Sequence, residues 1–239
     1  MSRIRYVCPE THGVLRATDD GLVRADGKSY PYLGEGAALS RAVPNFLELS
    51  DVGEGRRASL EMYDTETATA VYRNFLDWLF STFDEDEAAF RGRMADRLRL
   101  KPGDCVLVTG CGLGDDLGPI LERVGPTGEV YAQDLSAAMV QAAAAWWARE
   151  RPDLARQVHF SVGDASLLPF ADGAFDAAFH FGGINLFDSR RRGIAEMSRV
   201  VRRGGRVVVS DEGLAPWLRD TDYGRMVITN NRLRAYEAP

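Results

Sequence analysis

The segment Val106-Leu107-Val108-Thr109-Gly110-Cys111-Gly112-Leu113-Gly114-Asp115-Asp116 runs an apolar strand pattern into a turn of three glycines and then into two carboxylates. Glycines at such a turn permit positive φ and let a ligand approach bare backbone, which makes the strand's carboxyl end a binding edge. A dinucleotide site needs G-x-G-x-x-G with its pyrophosphate on the following helix N-terminus. Here the spacing is G-x-G-x-G and the helix opens on Asp115 and Asp116. Two acids repel a pyrophosphate. They suit a ligand that lacks phosphate and carries positive charge, and they also favour a helix N-terminus.

Chemistry-bearing side chains recur at the ends of the apolar runs that follow. Glu129-Val130-Tyr131-Ala132-Gln133-Asp134 reads as a second strand, and Asp134 falls about 20 residues beyond the glycines, the distance at which an acid grips ribose hydroxyls. Val158 to Val162 reads as a third strand that ends in Gly163-Asp164-Ala165, where Asp164 could accept from an exocyclic adenine amine. A fourth, Phe175 to Phe179, opens into His180-Phe181-Gly182-Gly183, and a fifth, Arg206 to Ser210, follows the turn Arg202-Arg203-Gly204-Gly205. Strand and helix patterns alternate from Asp104 onward, which predicts βαβ units and an α/β fold with a Rossmann-like, doubly wound, mostly parallel sheet. Each residue also has a structural reading: the glycines as a tight strand-helix turn, Asp134 as a cap for a helix starting at Ser136, Asp164 as a turn residue.

Together these residues resemble the class I S-adenosylmethionine-dependent methyltransferases, in particular the branch similar to ubiquinone and menaquinone C-methyltransferases and many small-molecule methyltransferases. The resemblance covers roughly Leu60 to Asp211. It implies that Gly110, Cys111, Gly112 and Gly114 pack against the methionine part of the cofactor. It further implies that Asp134 binds the ribose, with Leu135 and Met139 lining the adenine side, and that Asp164 and Ala165 read the adenine. A helix expected from Asp64 carries Val71, Phe75, Trp78 and Leu79 on one face. The resemblance makes Met62-Tyr63-Asp64 and this helix a lid, with Tyr63 contacting the methionine carboxylate or the substrate. His180 reads as a cofactor contact and the candidate general base, of a pKa class suited to that role, or else as a satisfied structural histidine. Asn185, Asp211 and Glu212 fall near the same edge and could orient a substrate. One departure stands out: the family often has an acid two residues before the first glycine, and this chain has Val108. Asp115 or a backbone carbonyl is left to hold the cofactor's amino group.

The chain of 239 residues is 45% hydrophobic, enough to bury one α/β core with a small appended module. Residues 1–50 read as a small β module, 51–100 as a linker and N-terminal lid helices, and 101–239 as the methyltransferase core. In the module, short β-like runs (Arg5 to Val7, Val14 to Ala17, Leu22 to Ala25, Ser29 to Leu33) alternate with turn signals at Asp19-Asp20-Gly21 and Asp26-Gly27. Tyr6-Val7-Cys8-Pro9 and Ser29-Tyr30-Pro31-Tyr32 resemble the zinc ribbons attached to some methyltransferases. Of the ligands such a site needs, Cys8 and His12 are present and Arg24 to Gly27 offers no thiol, so no metal is expected. Gly34 to Arg57 reads as a linker. After the fifth strand the resemblance implies two more. Gly213 to Arg225 reads as loop or helix and Val227 to Tyr236 as at most one irregular strand, so the sheet is expected shortened at its C-terminal side. A truncated chain, a shortened sheet and an edge covered by a second subunit are all consistent with that.

Cys8, Cys105 and Cys111 are too few and scattered for a disulfide framework, no apolar run reaches membrane-span length, and a soluble cytoplasmic protein is expected. A net charge of −6 carries no nucleic-acid footprint, and Arg190, Arg191, Arg192, Arg202, Arg203 and Arg206 read as a solvated face. The expected reaction is in-line methyl transfer from S-adenosylmethionine to a small-molecule acceptor, with specialised metabolism as one setting, releasing S-adenosylhomocysteine, and a homodimer is one assembly compatible with the chain. An RNA methyltransferase using the N-terminal module, and a non-catalytic cofactor-fold scaffold for binding or dimerisation, are the alternatives.

Overall fold

The computed structural model describes residues 3–33, 42–47, 53–65, 67–211 and 213–230. Three short strands come first, β1 (Leu15–Ala17), β2 (Gly21–Arg24) and β3 (Ser29–Pro31), in an antiparallel sheet. The two turn signals join them, and Arg5 to Val7 adds an isolated bridge from Val7 to Val14 rather than a strand. Helices α1 (Glu54–Tyr63), α2 (Ala68–Thr82) and α3 (Glu87–Asp96) follow. The core then alternates β4 (Cys105–Thr109), α4 (Leu117–Val124), β5 (Glu129–Asp134), α5 (Ala137–Glu150), α6 (Pro152–Ala155), β6 (Val158–Val162), β7 (Phe175–Phe181), α7 (Arg190–Val200) and β8 (Val201–Ser210), and α8 (Asp222–Asn230) closes it.

The five long strands form one parallel sheet in the order β6-β5-β4-β7-β8, so the chain reverses direction at β4, beside the glycine turn. Helices cover both faces, which is why the strands read as continuous apolar runs. Val106, Val108, Val130 and Phe179 pack with Leu117, Ile120, Val140 and Trp147 on one side. Leu107, Tyr131 and Phe175 pack with Leu168, Phe170 and Met197 on the other.

Residues 43–46 tie the small sheet to the large one. Leu33 N donates to Val43 O and Asn45 N to Pro31 O, while Val162 N donates to Pro44 O and Phe46 N to Val162 O, all at 2.8–2.9 Å. The segment lies between β3 and β6 and covers part of the edge of β6. Tyr6 completes the junction, with ring centroids 5.2 Å from Phe46 and 5.3 Å from Phe170.

Several boundaries differ from the sequence expectation. Glu54 to Arg57 is the start of α1 rather than linker; residues 34–41 and 48–52 of that expected linker lie outside the described residues. The lid is two helices, broken at Asp64. The apolar face expected of α2 points outward: Val71 is 51% and Trp78 56% exposed. Ala68, Tyr72 and Leu76 face inward instead, because Tyr72 packs on the glycine turn and Arg73 pairs with Asp115 there. Strand β8 starts at Val201, five residues before its expected start, since the Arg202–Gly205 turn is absorbed as a register irregularity opposite Phe175 and Ala177. Val227 to Asn230 continues α8 as helix rather than strand, and Glu212 and residues 231–239 lie outside the described residues. Among the described residues no helix is long and apolar enough to cross a membrane.

Candidate functional site

The carboxyl ends of β4, β5, β6 and β7 bring the candidate side chains to one edge. Gly110, at φ +61°, follows β4 directly; a Cβ there would come within 2.9 Å of His180 Cε1, so the imidazole requires glycine at this turn. Gly112, at φ +51°, faces a gap whose nearest side-chain atoms, Met139 Cε and the Tyr72 ring and hydroxyl, stand 3.7 Å from where a Cβ would sit. That leaves bare backbone with an aromatic and a thioether close by. Cys111 turns inward, 4% exposed, and burial pushes its thiol well up, which makes it a packing residue.

Asp134 closes this turn from the next strand. Its Oδ2 accepts from Gly112 N at 2.8 Å and its Oδ1 from Ser136 N at 2.9 Å. Burial pushes the carboxyl above its ordinary value, against the Ser136 and Gly112 N–H groups that lower it. Each oxygen keeps a second lone pair for a ligand hydroxyl. Leu135 is half-buried beside it, and Met139 is buried one turn into α5.

Helix α1 spans the edge and is fastened at both ends. At its C-terminus Asp64 Oδ1 accepts from Ser136 Oγ (2.9 Å) and Ala138 N (2.8 Å), and Ser136 Oγ donates to Tyr63 O at 2.7 Å. Tyr63 packs with Tyr72, centroids 6.5 Å apart, in a cluster with Leu113 and Met139. At its N-terminus Asp188 accepts from Gly55 N (2.7 Å) and Arg56 Nε (2.8 Å), and Arg56 Nη1 lies 3.3 Å from Asp164 Oδ2. Asp164 Oδ1 accepts from Ser166 N at 2.7 Å, and Ala165 is buried next to it.

Thr109, Gln133 and His180 occupy one cross-strand row beneath the edge, all at most 1% exposed. His180 Nδ1 lies 2.9 Å from Thr109 O and therefore carries the proton, while Nε2 has no hydrogen-bond partner among the described residues. Burial lowers the His180 pKa, offset in part by Asp211 and by the Thr109 and Gly182 backbone, so the ring is neutral at pH 7. Asn185 N donates to Asp211 Oδ2 at 2.9 Å, which brings those two together; Glu212 lies outside the described residues.

Asp115 and Asp116, read from sequence as ligand-facing acids, meet arginines from α2 and α3. Arg73 Nη2 donates to Asp115 Oδ1 at 2.6 Å and Arg91 Nη1 to Asp116 Oδ1 at 2.8 Å. Sequence reasoning missed Tyr72, Arg91, Arg56 and Asp188. For Tyr72 a signal existed, the Ala68, Tyr72, Leu76 spacing of a buried helix face; for the others nothing local marked them. A cavity of about 570 Å3 lies away from this edge, between the small sheet and β6 with α5, and contains none of the candidate residues. Among the described residues no group of three metal-ligating side chains occurs.

Comparison with known proteins agrees with this geometry. A family model described as a methyltransferase domain matches residues 106–205. The chain is 38% identical over 128 residues to a demethylmenaquinone methyltransferase of Beutenbergia cavernae, covering 54% of this chain and 49% of that protein. It is 26% identical to the 27-O-demethylrifamycin SV methyltransferase of Amycolatopsis mediterranei, covering 74% and 62%. A solved geranyl diphosphate methyltransferase, in complex with GPP and sinefungin, matches with TM-score 0.53 and 25% identity over 61% of this chain and 53% of that one. The chain spans about half the length of the curated relatives it matches. A parallel sheet reversing at β4 and a bare glycine turn closed by Asp134 fall within the stretch, residues 106–205, that is similar to a methyltransferase domain.

Proposed function

We propose that this protein transfers a methyl group from S-adenosylmethionine to a small-molecule acceptor. The observation that carries the reading is the Gly112–Asp134 closure: a carboxylate held by two backbone N–H groups beside bare backbone, under an aromatic and thioether wall. That donor set fits a ribose with an apolar, non-phosphate substituent. S-adenosylmethionine would supply a methyl on a sulfonium, a group whose departure as a thioether needs no acid. Asp134 would hold the ribose, Leu135 and Met139 flank the adenine, and Asp164 with Ala165 read its edge, with Arg56 ceding or sharing one Asp164 oxygen. Gly110, Cys111, Gly112, Gly114 and Tyr63 would surround the methionine part.

The protein's contribution is alignment and exclusion of water beneath the doubly fastened α1 strap. Where the acceptor must lose a proton, His180 is the proposed base: Nδ1 is engaged by Thr109 and the Nε2 lone pair has no partner among the described residues. Its lowered pKa makes it a weak base, which suits an acceptor whose own proton is acidic. That two relatives are named for small-molecule acceptors, demethylmenaquinone and 27-O-demethylrifamycin SV, supports an acceptor of that class. The homodimer expected from sequence finds support in β8, whose outer edge is unpaired among the described residues. Division into a module, a lid and a core remains part of this proposal.

The test is calorimetric titration with S-adenosylmethionine and S-adenosylhomocysteine, with Asp134→Ala as control. Micromolar binding abolished by the substitution is expected. A folded protein that binds neither ligand overturns the reading.

A further inference from the structure

The cavity between the small sheet and β6 has a volume of about 570 Å3, within the range of small-molecule sites, and holds none of the residues assigned to the cofactor. It exists because pairing along β6 stops short. β6 is an edge strand of the large sheet, and Val162 spends its outward N–H on Pro44 O and its outward C=O on Phe46 N. The period of two along a strand turns the same groups of Phe160 outward. Pro44 has no N–H to offer Phe160 O, and the chain before it leaves the strand, with Val43 O accepting instead from Leu33 N. Val158 and Phe160 therefore floor a gap in which the outward backbone groups of Phe160 meet no backbone partner among the described residues. Buried backbone of that kind needs water or a ligand.

The walls and their charge say which ligand. Leu22 from the small sheet faces Ala144 and Trp147 from α5, so the body of the cavity is apolar. The chain has 35 aspartates and glutamates against 29 lysines and arginines, yet no carboxylate lines this space. Of its two basic side chains, His159 is engaged by Glu129, Nε2 to Oε2 at 3.1 Å. Arg5 is exposed at the rim, and its guanidinium has no partner among the described residues. The Tyr32 hydroxyl, half-buried in the same lining, is kept protonated because burial raises its pKa, so it too can donate. An apolar volume with a cation at its rim, a hydroxyl donor and no acid complements an apolar body that ends in an anion.

We propose that this cavity is a second binding site, for a small amphipathic carboxylate whose apolar body lies between the small sheet and β6 with α5 and whose head group meets Arg5. The site stands apart from the cofactor edge, and the assignment does not depend on the cofactor reading. Its occupant would touch the small sheet, residues 42–44 and the large sheet's edge at once, the three parts that meet at this junction.

The probes are octanoate and 1-octanol, the same chain with and without the charge, each titrated calorimetrically into the whole protein. Octanoate should bind one to one and more tightly than 1-octanol. Arg5→Glu, a change at an exposed position, should weaken octanoate about tenfold, since a surface attraction is both lost and reversed, and should leave 1-octanol unchanged. Ala144→Phe, which places a ring in the cavity, should weaken both probes. Octanoate affinity should survive Asp134→Ala; its loss there would put the probe at the cofactor edge and overturn the proposal. A wild type with no saturable octanoate binding overturns it too, as does binding that neither Arg5→Glu nor Ala144→Phe alters. Equal affinities for the acid and the alcohol overturn the assignment of an anion.

Discussion

Beneath Gly110 the His180 ring serves two ends, and its titration separates them. Its folded pKa lies below the ordinary 6.5, so the unfolded chain takes up a proton there more readily than the folded one. Its contribution to stability is complete above pH 6.5 and is lost as the pH falls below that value toward the folded pKa. The wild type should therefore lose melting temperature between about pH 7.5 and about pH 5.5, and His180→Gln should flatten that slope. If His180 is the base, the same variant should lower kcat by about a hundredfold and leave S-adenosylhomocysteine affinity intact. Equal losses in both would make it a support of the turn alone. At this scale, legibility followed sequence distance. The placement of Gly110, Gly112, Asp134 and Asp164 on one edge could be read because it follows from local turns and strand ends. Arg91 and Arg73 could not, since their partners Asp116 and Asp115 lie 25 and 42 positions away and neither arginine stands out on its own helix.

Helices at this edge cap one another across the fold. The N-cap of α1 is Gly53, which has no side chain, and Asp188 from the turn after β7 takes its place by accepting from the Gly55 and Arg56 N–H groups. Asp64, just past the end of α1, in turn joins Ser136 in capping α5. Such caps escape a search for Ser or Asp at a helix's own start. The outward apolar stripe of α2 escaped for a related reason: periodicity finds an apolar face but cannot tell which neighbour it meets, and the contacts of Tyr72 and Arg73 with the glycine turn rotate Val71 and Trp78 away. The parallel strands, by contrast, were legible because burial on both faces leaves an unmistakable apolar run. Replacing Asp188 with alanine should cost about 1 kcal/mol, the usual worth of a helix cap. Amide exchange should show the loss as faster exchange at Gly55 and Arg56 with β4 and β5 unchanged; unchanged exchange in α1 would mean that Asp188 is not its cap.

Across the whole molecule, hydrogen bonding runs without a break from β1 through residues 43–46 into β6 and on to β8. The small sheet has little core of its own: Cys8, Leu22, Tyr30 and Phe46 are its buried cluster, and the Tyr6 ring packs against Phe46 on one side and against the main domain's Phe170 and Tyr131 on the other. Within the module Arg24 donates to Cys8 Sγ at 3.3 Å and pairs with Asp26. The module's dependence on the main sheet could not be anticipated, because it rests on contacts such as Ile4 N to the Tyr131 hydroxyl at 2.9 Å, 127 positions apart. A module with so few buried residues cannot offset its chain entropy alone, so it should melt with the core. Urea unfolding followed by tryptophan fluorescence, in which the buried Trp147 reports the core, and by far-UV dichroism should give one coincident transition. Tyr6→Ala should shift the whole transition, lowering stability by roughly 2–4 kcal/mol as for other aromatic truncations at buried junctions. Two separated transitions, with Tyr6→Ala moving only the first, would instead make residues 1–50 an independently folding unit.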